Sequence, residues 1–267
     1  MKERIAESLK KLRDRRPLVQ NITNFVVMNT TANALLSIGA SPVMAHAVEE
    51  LEEMLAIADA LVVNIGTLDD RWVDSMRRAV EIAGEMKKPV VLDPVGAGAT
   101  KYRTRTALEL LEIGSISVLR GNFGEIKALL GESGATRGVD SVEYDERAAG
   151  ELALRASESF GTAVAVTGKV DYVSDGKKLF SVMNGHEMLE RVTGTGCIVT
   201  SLIGAFLAVD SPVYASLSAL TIFGISAELS FEEAPFPGSF HVKLYDWLYK
   251  IGEREILERA RVNEIEA

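Results

Sequence analysis

The sequence predicts an α/β fold: a mostly parallel central sheet with helices on both faces and an antiparallel hairpin at one edge. Three observations carry that expectation. From about residue 28 onward, helical patterns alternate with short β-rich runs, the rhythm of strand-helix-strand units. Several of the runs are continuously apolar and rich in Val, as strands covered on both faces are. Asp175-Gly176, set between two alternating segments, is a hairpin signal.

The elements follow in order. The opening MKERIAESLKKLRDRRPLVQ reads as an amphipathic helix, too charged for a signal peptide. A helix closed by Gly39 leads into the strand SPVMAH (41–46). EELEEMLAIAD places Leu51, Met54, Leu55 and Ala58 on one face and runs into ALVVNIG (60–66). DDRWVDSMRRAVEIAGEMKK carries a stripe of Trp72, Val73, Met76, Val80 and Ala83, and precedes KPVVLDP (88–94). SISVLRGN (115–122) and TAVAVTG (162–168) complete the parallel set, and DYVSDGKKLFSV (171–182) supplies the hairpin. Beyond residue 196 the chain reads as three helical pieces, 197–209, 212–232 and 239–259, divided by Pro212 and by APFPGS. The stretch 131–146 reads as a surface loop rather than a linker, so residues 1–267 are taken as one domain.

Charge and composition exclude several functions. Lys and Arg number 29 against 38 Asp and Glu, a net charge of -9 with no basic run to track a phosphate backbone, which argues against nucleic acid. The longest apolar stretch, GCIVTSLIGAFLAV, is shorter than the roughly 20 residues a spanning helix needs, and reads as a buried core helix rather than a membrane segment. One cysteine permits no internal disulfide, which fits a reducing, cytoplasmic setting.

Ligands of open α/β sheets bind beyond the carboxyl ends of the strands, which directs attention to Asn64 and Gly66, Asp93, Arg120 and Asn122, Thr167 and Gly168, and the turn Gly194–Cys197. Two phosphate motifs are absent. DPVGAGAT has Lys101 where the third glycine of a dinucleotide fingerprint would stand, and AVTGKV lacks the first glycine and the hydroxyl residue of a P-loop. GTGC opening a helix is either an anion site made of unpaired amides or a tight turn feeding a core helix. Cys197 is either a buried small hydrophobe or a thiol whose anion the helix start favours. Asp93, followed by Pro94, is a strand-end carboxylate or a cap. Asn122 and Glu125 form a capping box, or Glu125 joins Asp93 in holding Mg²⁺ largely through water. Arg120 clamps a phosphate or pairs with a surface acid, and Thr167 donates to a nucleotide or closes a turn. His46, His186 and His241 are scattered without metal-ligand spacing, and Met44 defaults to packing.

Taken together, QNITNFVVMNTTANALLSIGASPVMAHAVEE (20–50), LVVNIGTL (61–68), VVLDPVGAGAT (90–100), VLRGNFGEI (118–126), AVTG (165–168) and VTGTGCIVTSLIGAF (192–206) resemble one family along nearly the whole chain. It is the hydroxyethylthiazole kinase family of thiamine salvage, in the ribokinase-like superfamily. The resemblance implies a three-layer ribokinase-like sandwich and transfer of the ATP γ-phosphoryl group to the hydroxyl of 4-methyl-5-(2-hydroxyethyl)thiazole, with Mg²⁺ as cofactor and a homotrimer with sites near the subunit interfaces. It implies that Met44 and Gly194 hold the thiazole alcohol and that Arg120 and Thr167 hold ATP. Asp93 and Glu125 serve magnesium and the phosphates, and Cys197 sits where the alcohol is activated. Sugar kinases of the superfamily carry Asp where Cys197 stands, which leaves the proton acceptor open. The competing readings are a hydroxymethylpyrimidine-type kinase, an ATP-dependent dehydratase of damaged nicotinamide cofactors, and a non-catalytic sensor. SPVMAH and the cysteine argue against the first, and the retained Arg120, Asp93, Glu125 and glycine turn argue against the last.

Overall fold

A computed structural model describes residues 1–132 and 146–265; the loop expected at 131–146 lies almost wholly outside them. Nine strands form one sheet: β1 (Leu18–Ile22), β2 (Ser41–Val43), β3 (Ala60–Asn64), β4 (Val90–Asp93), β5 (Ile116–Asn122), β6 (Ala163–Thr167), β7 (Asp171–Ser174), β8 (Leu179–Val182) and β9 (Val262–Ile265). Their order is β2-β1-β3-β4-β5-β6-β7-β8-β9. The first six run parallel, and β7, β8 and β9 continue the sheet antiparallel.

The helices are α1 (Lys2–Arg15), α2 (Met28–Ile38), α3 (Leu51–Ile57), α4 (Asp70–Glu85), α5 (Lys101–Ile113), α6 (Phe123–Leu129), α7 (Glu146–Phe160), α8 (Thr195–Leu207), α9 (Pro212–Glu233), α10 (Pro237–Lys250) and α11 (Glu253–Arg259). They divide into two layers because strand side chains alternate between the faces. Val19, Val62, Val91, Val118 and Ala165 meet α1, α2, α8, α9 and α10 on one side. Leu61, Val63, Leu92, Leu119 and Val164 meet α3 to α7 on the other. Strands clothed on both faces explain the unbroken Val-rich runs.

α8 lies unusually close to this sheet. A Cβ at Gly204 would stand 2.5 Å from Val62 Cγ2 and 3.3 Å from Val19 Cγ1, so only glycine at this position lets the helix backbone settle on β3 and β1. That contact sets the height at which the start of α8 meets the strand ends. α9 is long and apolar enough to cross a membrane by composition, but 89% of its most apolar window is buried inside the fold.

Four expectations need correction. β1 begins inside the segment read as an N-terminal helix and runs past its end, and its apolar pattern is interrupted by Gln20 and Asn21; both are buried, with Gln20 Nε2 donating to Ala45 O (3.0 Å) and Asn21 Oδ1 accepting from Ser201 Oγ (3.0 Å). The run 41–46 yields only three residues of strand and leaves Met44 beyond its end. The hairpin β7–β8 is not the edge, since β9 pairs with β8 outside it. The last helical piece breaks at Ile251-Gly252, after which α11 packs on α1 and α9 and delivers the chain to β9.

Gly204→Ala tests the close approach. Overpacking there should cost about 1–3 kcal/mol in urea denaturation and lower activity as well, because the displaced helix carries the turn at its start.

Candidate active site

Four neighbouring parallel strands end on polar side chains: Asn64 on β3, Asp93 on β4, Asn122 on β5 and Thr167 on β6. The register sets Asn64 beside Asp93 and Asn122 beside Thr167. The first turn of α8 faces this row.

Asp93 has no exposed surface. Its Oδ2 accepts from Asn64 Nδ2 (2.9 Å) and from Thr200 Oγ1 of α8 (2.7 Å), and lies 3.6 Å from Arg120 Nη1. Among the described residues its buried Oδ1 has no partner. Burial pushes this carboxyl up from its ordinary range, opposed by the Arg120 charge and by the Thr200 and Asn64 donors. Thr200 thus pins α8 to the end of β4.

Arg120 lies across the same end. Its Nη2 donates to Thr167 Oγ1 (2.5 Å), while its Nε is a buried donor with no acceptor. A Cβ at Gly196 would sit 2.8 Å from Arg120 Nη1 and 2.9 Å from Nη2, so the guanidinium rests against the glycine turn. Within that turn Ile198 N–H is the first to bond into the helix, to Gly194 O at 2.9 Å. The amides of Thr195, Gly196 and Cys197 precede it, at the positive end of the helix dipole. A fixed cation and a set of helix-start amides therefore face one space, which is an anion site in physical terms. Gly194 caps the helix in the left-handed region (φ 85°), and a Cβ there would lie 2.7 Å from Val27 Cγ1. A side chain at 194 meets both backbone strain and collision.

Glu125 fulfils its capping reading. Asn122 Oδ1 accepts from Glu125 N–H (2.9 Å) and Glu125 Oε2 accepts from Asn122 N–H (2.8 Å), a complete capping box at the start of α6. Its Oε1 accepts from Gly96 N–H (2.8 Å). Burial, and after it the charge of Asp93, push the Glu125 carboxyl up. Two buried carboxyls lie close enough that the charge of Asp93 raises Glu125, and one of them has an oxygen without a partner among the described residues. Among the described residues no group of three or more His, Cys, Asp or Glu surrounds the pair.

The model of the hydroxyethylthiazole kinase family matches residues 9–254. The chain belongs to the hydroxyethylthiazole kinase family. A hydroxyethylthiazole kinase of Pyrococcus abyssi is 67% identical over 98% of both chains. The solved structure of a hydroxyethylthiazole kinase protein from Pyrococcus horikoshii OT3 superposes with a TM-score of 0.93 at 62% identity, over 99% of this chain and 100% of that one. A pyridoxal kinase from Staphylococcus aureus in complex with ADP shares the fold alone, with a TM-score of 0.61 at 18% identity over 79% of this chain and 87% of that one.

Within this family member the structure brings Asp93, Glu125, Arg120, Thr167, Gly194 and Cys197 to one end of the sheet. Met44 follows β2 at the same carboxyl end of the parallel strands, on the far side of β1 from β3, where the Gln20 bond to Ala45 O holds the chain. Of the two readings of Cys197, the surroundings favour the protonated thiol over the thiolate. Burial first, then the Asp93 charge, push the Cys197 thiol up to about 12, so it carries its proton near neutrality. A dipole effect of one helix end is smaller than the cost of ionising sulfur away from water beside a carboxylate.

Other residues were not singled out from the sequence. Arg103 of α5 donates to Ile65 O (3.1 Å), Val95 O (2.6 Å) and Gly66 O (2.8 Å), tying the loops after β3 and β4 together. Thr200, one helical turn past the cysteine, was hidden in an apolar run. Asp171 of β7 accepts from Gly168 N–H (3.0 Å), and burial pushes its carboxyl up to about 7. Its bond closes the turn between β6 and β7 backwards along the chain, onto the glycine after β6.

The Asp171 shift has a definite sign. A carboxyl raised in the folded state contributes its full stabilisation below its unfolded value of 3.8 and loses it as pH climbs to about 7. Asp171→Asn keeps an acceptor without the charge, so the variant should gain stability relative to wild type across that window. Urea denaturation at a series of pH values reads this, and a pH-independent difference would reject it.

Proposed function

We propose that the chain transfers the γ-phosphoryl group of ATP to the hydroxyl of 4-methyl-5-(2-hydroxyethyl)thiazole, a step of thiamine salvage. The observation that carries this reading is the placement of the Arg120 guanidinium against the Gly196 turn, beside the buried pair Asp93 and Glu125. In that one site a donor without an acceptor, Arg120 Nε, and an acceptor without a donor, Asp93 Oδ1, occur together. A magnesium-bound triphosphate satisfies both at once.

In the reaction the substrate oxygen bonds to the γ-phosphorus as the bond from that phosphorus to the β–γ bridging oxygen breaks, and ADP leaves. The transition state is loose, with charge spread over the moving group's oxygens, so positioning and charge neutralisation dominate. The amides of Thr195, Gly196 and Cys197 are assigned to those oxygens. Arg120, steadied by Thr167, holds the nucleotide phosphates. Asp93 and Glu125 would hold Mg²⁺ through water, and the ion would neutralise phosphate charge. Met44 and Gly194 are assigned to the thiazole alcohol. Cys197, protonated, hydrogen-bonds the attacking hydroxyl and does not take its proton. That proton departs late, onto the transferred phosphoryl oxygens, since little charge builds on the attacking oxygen.

The family's trimer extends to this chain as part of the same reading. Phe25 and Val26, adjacent and 58% and 63% exposed, follow Asn24 at the site and support an assembly that covers them. The single sheet running from residue 18 to residue 265 supports one kinase domain. The single unpaired cysteine supports a reducing, cytoplasmic setting.

Incubation of the purified protein with Mg-ATP and a panel of acceptors, followed by mass, tests the reading. Thiazole phosphate is the expected product, with hydroxymethylpyrimidine and hydrated nicotinamide cofactor as the competing arms. Absence of thiazole phosphate under every condition rejects it. Cys197→Ala should lower kcat by roughly 3- to 10-fold, the loss of one hydrogen bond, with KM for ATP unchanged. A drop of about 10² or more, the range of a lost general base, would contradict the neutral-thiol role.

A further inference from the structure

Asn24, Asn64 and Gly66 belong to the segments NITN and NIGT, and the mechanism above gives none of them a role. Asn24 Oδ1 accepts from Val26 N–H (3.1 Å), and Asn24 Nδ2 donates to Asn64 Oδ1 (2.8 Å). The same Nδ2 lies 3.6 Å from Cys197 Sγ, as a donor to sulfur. Asn64 Oδ1 also accepts from Gly66 N–H (3.0 Å), and Asn64 Nδ2 donates to Asp93 Oδ2. Asn24 and Asn64 are both almost fully buried.

The direction of every link follows from the first. A backbone N–H only donates, so Gly66 decides which end of the Asn64 amide is oxygen and turns its NH₂ toward Asp93. The Asn64 oxygen also faces Asn24 and requires the NH₂ of that amide. The second hydrogen of Asn24 Nδ2 falls on the sulfur, and the single S–H bond is aimed away from Asn24. Gly66 makes room for this arrangement. A Cβ there would stand 2.6 Å from Asn24 Nδ2 and 2.8 Å from its Cβ and Cγ, and Gly66 has no left-handed backbone to account for the glycine.

We propose that Asn24 and Asn64 are positioning residues that orient the Cys197 thiol for phosphoryl transfer, through a one-way amide relay anchored on Asp93. The proposal rests on the functional reading given above, and Gly66 is the close contact that permits it.

The test is a double-mutant cycle on the full chain. Asn24→Ala and Gly66→Ala are each made alone and combined with Cys197→Ala, with kcat and KM for ATP measured. Each single variant should lose roughly 3- to 10-fold in kcat with KM for ATP unchanged. In the Cys197→Ala background each should cost less than about twofold more. Equal losses with and without the thiol would overturn the proposal. If Asn24→Ala fails to fold, Gly66→Ala carries the cycle alone. A second readout does not need turnover: the chain has one cysteine, so its S–H stretching band in the infrared is unambiguous. The band should move in Asn24→Ala and in Gly66→Ala, and stay in place in the surface control Lys11→Ala. An unmoved band overturns the relay. A wild-type protein that makes no thiazole phosphate, with the band still moving in the two variants, would reject the functional reading and leave the relay geometry standing.

Discussion

A carboxylate with no exposed surface stands at the end of a central strand, and the rest of the site is arranged around it. Burying an ionised group without partners costs several kcal/mol, so the elements near Asp93 are obliged to supply donors. β3 supplies Asn64, α8 supplies Thr200 and β5 supplies the Arg120 charge. Each of these bonds also fixes the element that makes it. The approach of α8 to β3 over Gly204 and the bond from Thr200 to Asp93 act on one helix, from its middle and from its first turns. The glycine turn is thereby placed as rigidly as the sheet itself.

The incomplete parts of this network point toward chemistry. A folded interior normally satisfies its polar atoms, yet Asp93 Oδ1 and Arg120 Nε, on opposite sides of one ion pair, are both left without partners. The pair is also loose, at 3.6 Å. Charges held slightly apart, each with an unused hydrogen-bonding position, remain available to a ligand that carries both signs. The same buried carboxylate raises the Cys197 thiol. A site organised in this way favours neutralisation and alignment over proton abstraction, which is what a loose phosphoryl-transfer transition state requires.

Much of this was legible residue by residue. The Val-rich runs announced β3 to β6, because a strand covered on both faces has no reason to alternate, and their last residues announced the row Asn64, Asp93, Asn122 and Thr167. β1 was not legible. Its middle carries Gln20 and Asn21, whose burial is tolerated only because Ala45 O and Ser201 Oγ reach them from elsewhere in the fold. β9 was missed for a related reason: a short, partly exposed edge strand has little apolar signal of its own and is defined by its pairing with β8. Asn122 and Glu125 presented two readings that looked exclusive and are not, since a capping carboxylate keeps a second lone pair on each oxygen.

The sequence by itself determined the layered α/β class, the polar strand ends that gather at one end of the sheet, the helix-start glycine turn and the family, because these depend on local periodicity and on motifs contiguous in the chain. Tertiary structure alone decided the ionisation of Cys197, the partners of Asp93, the closure of the sheet edge by β9 and the use of Asn24, Asn64 and Gly66. Each of those depends on atoms brought together from distant segments, and desolvation and donor direction exist only once those segments have met.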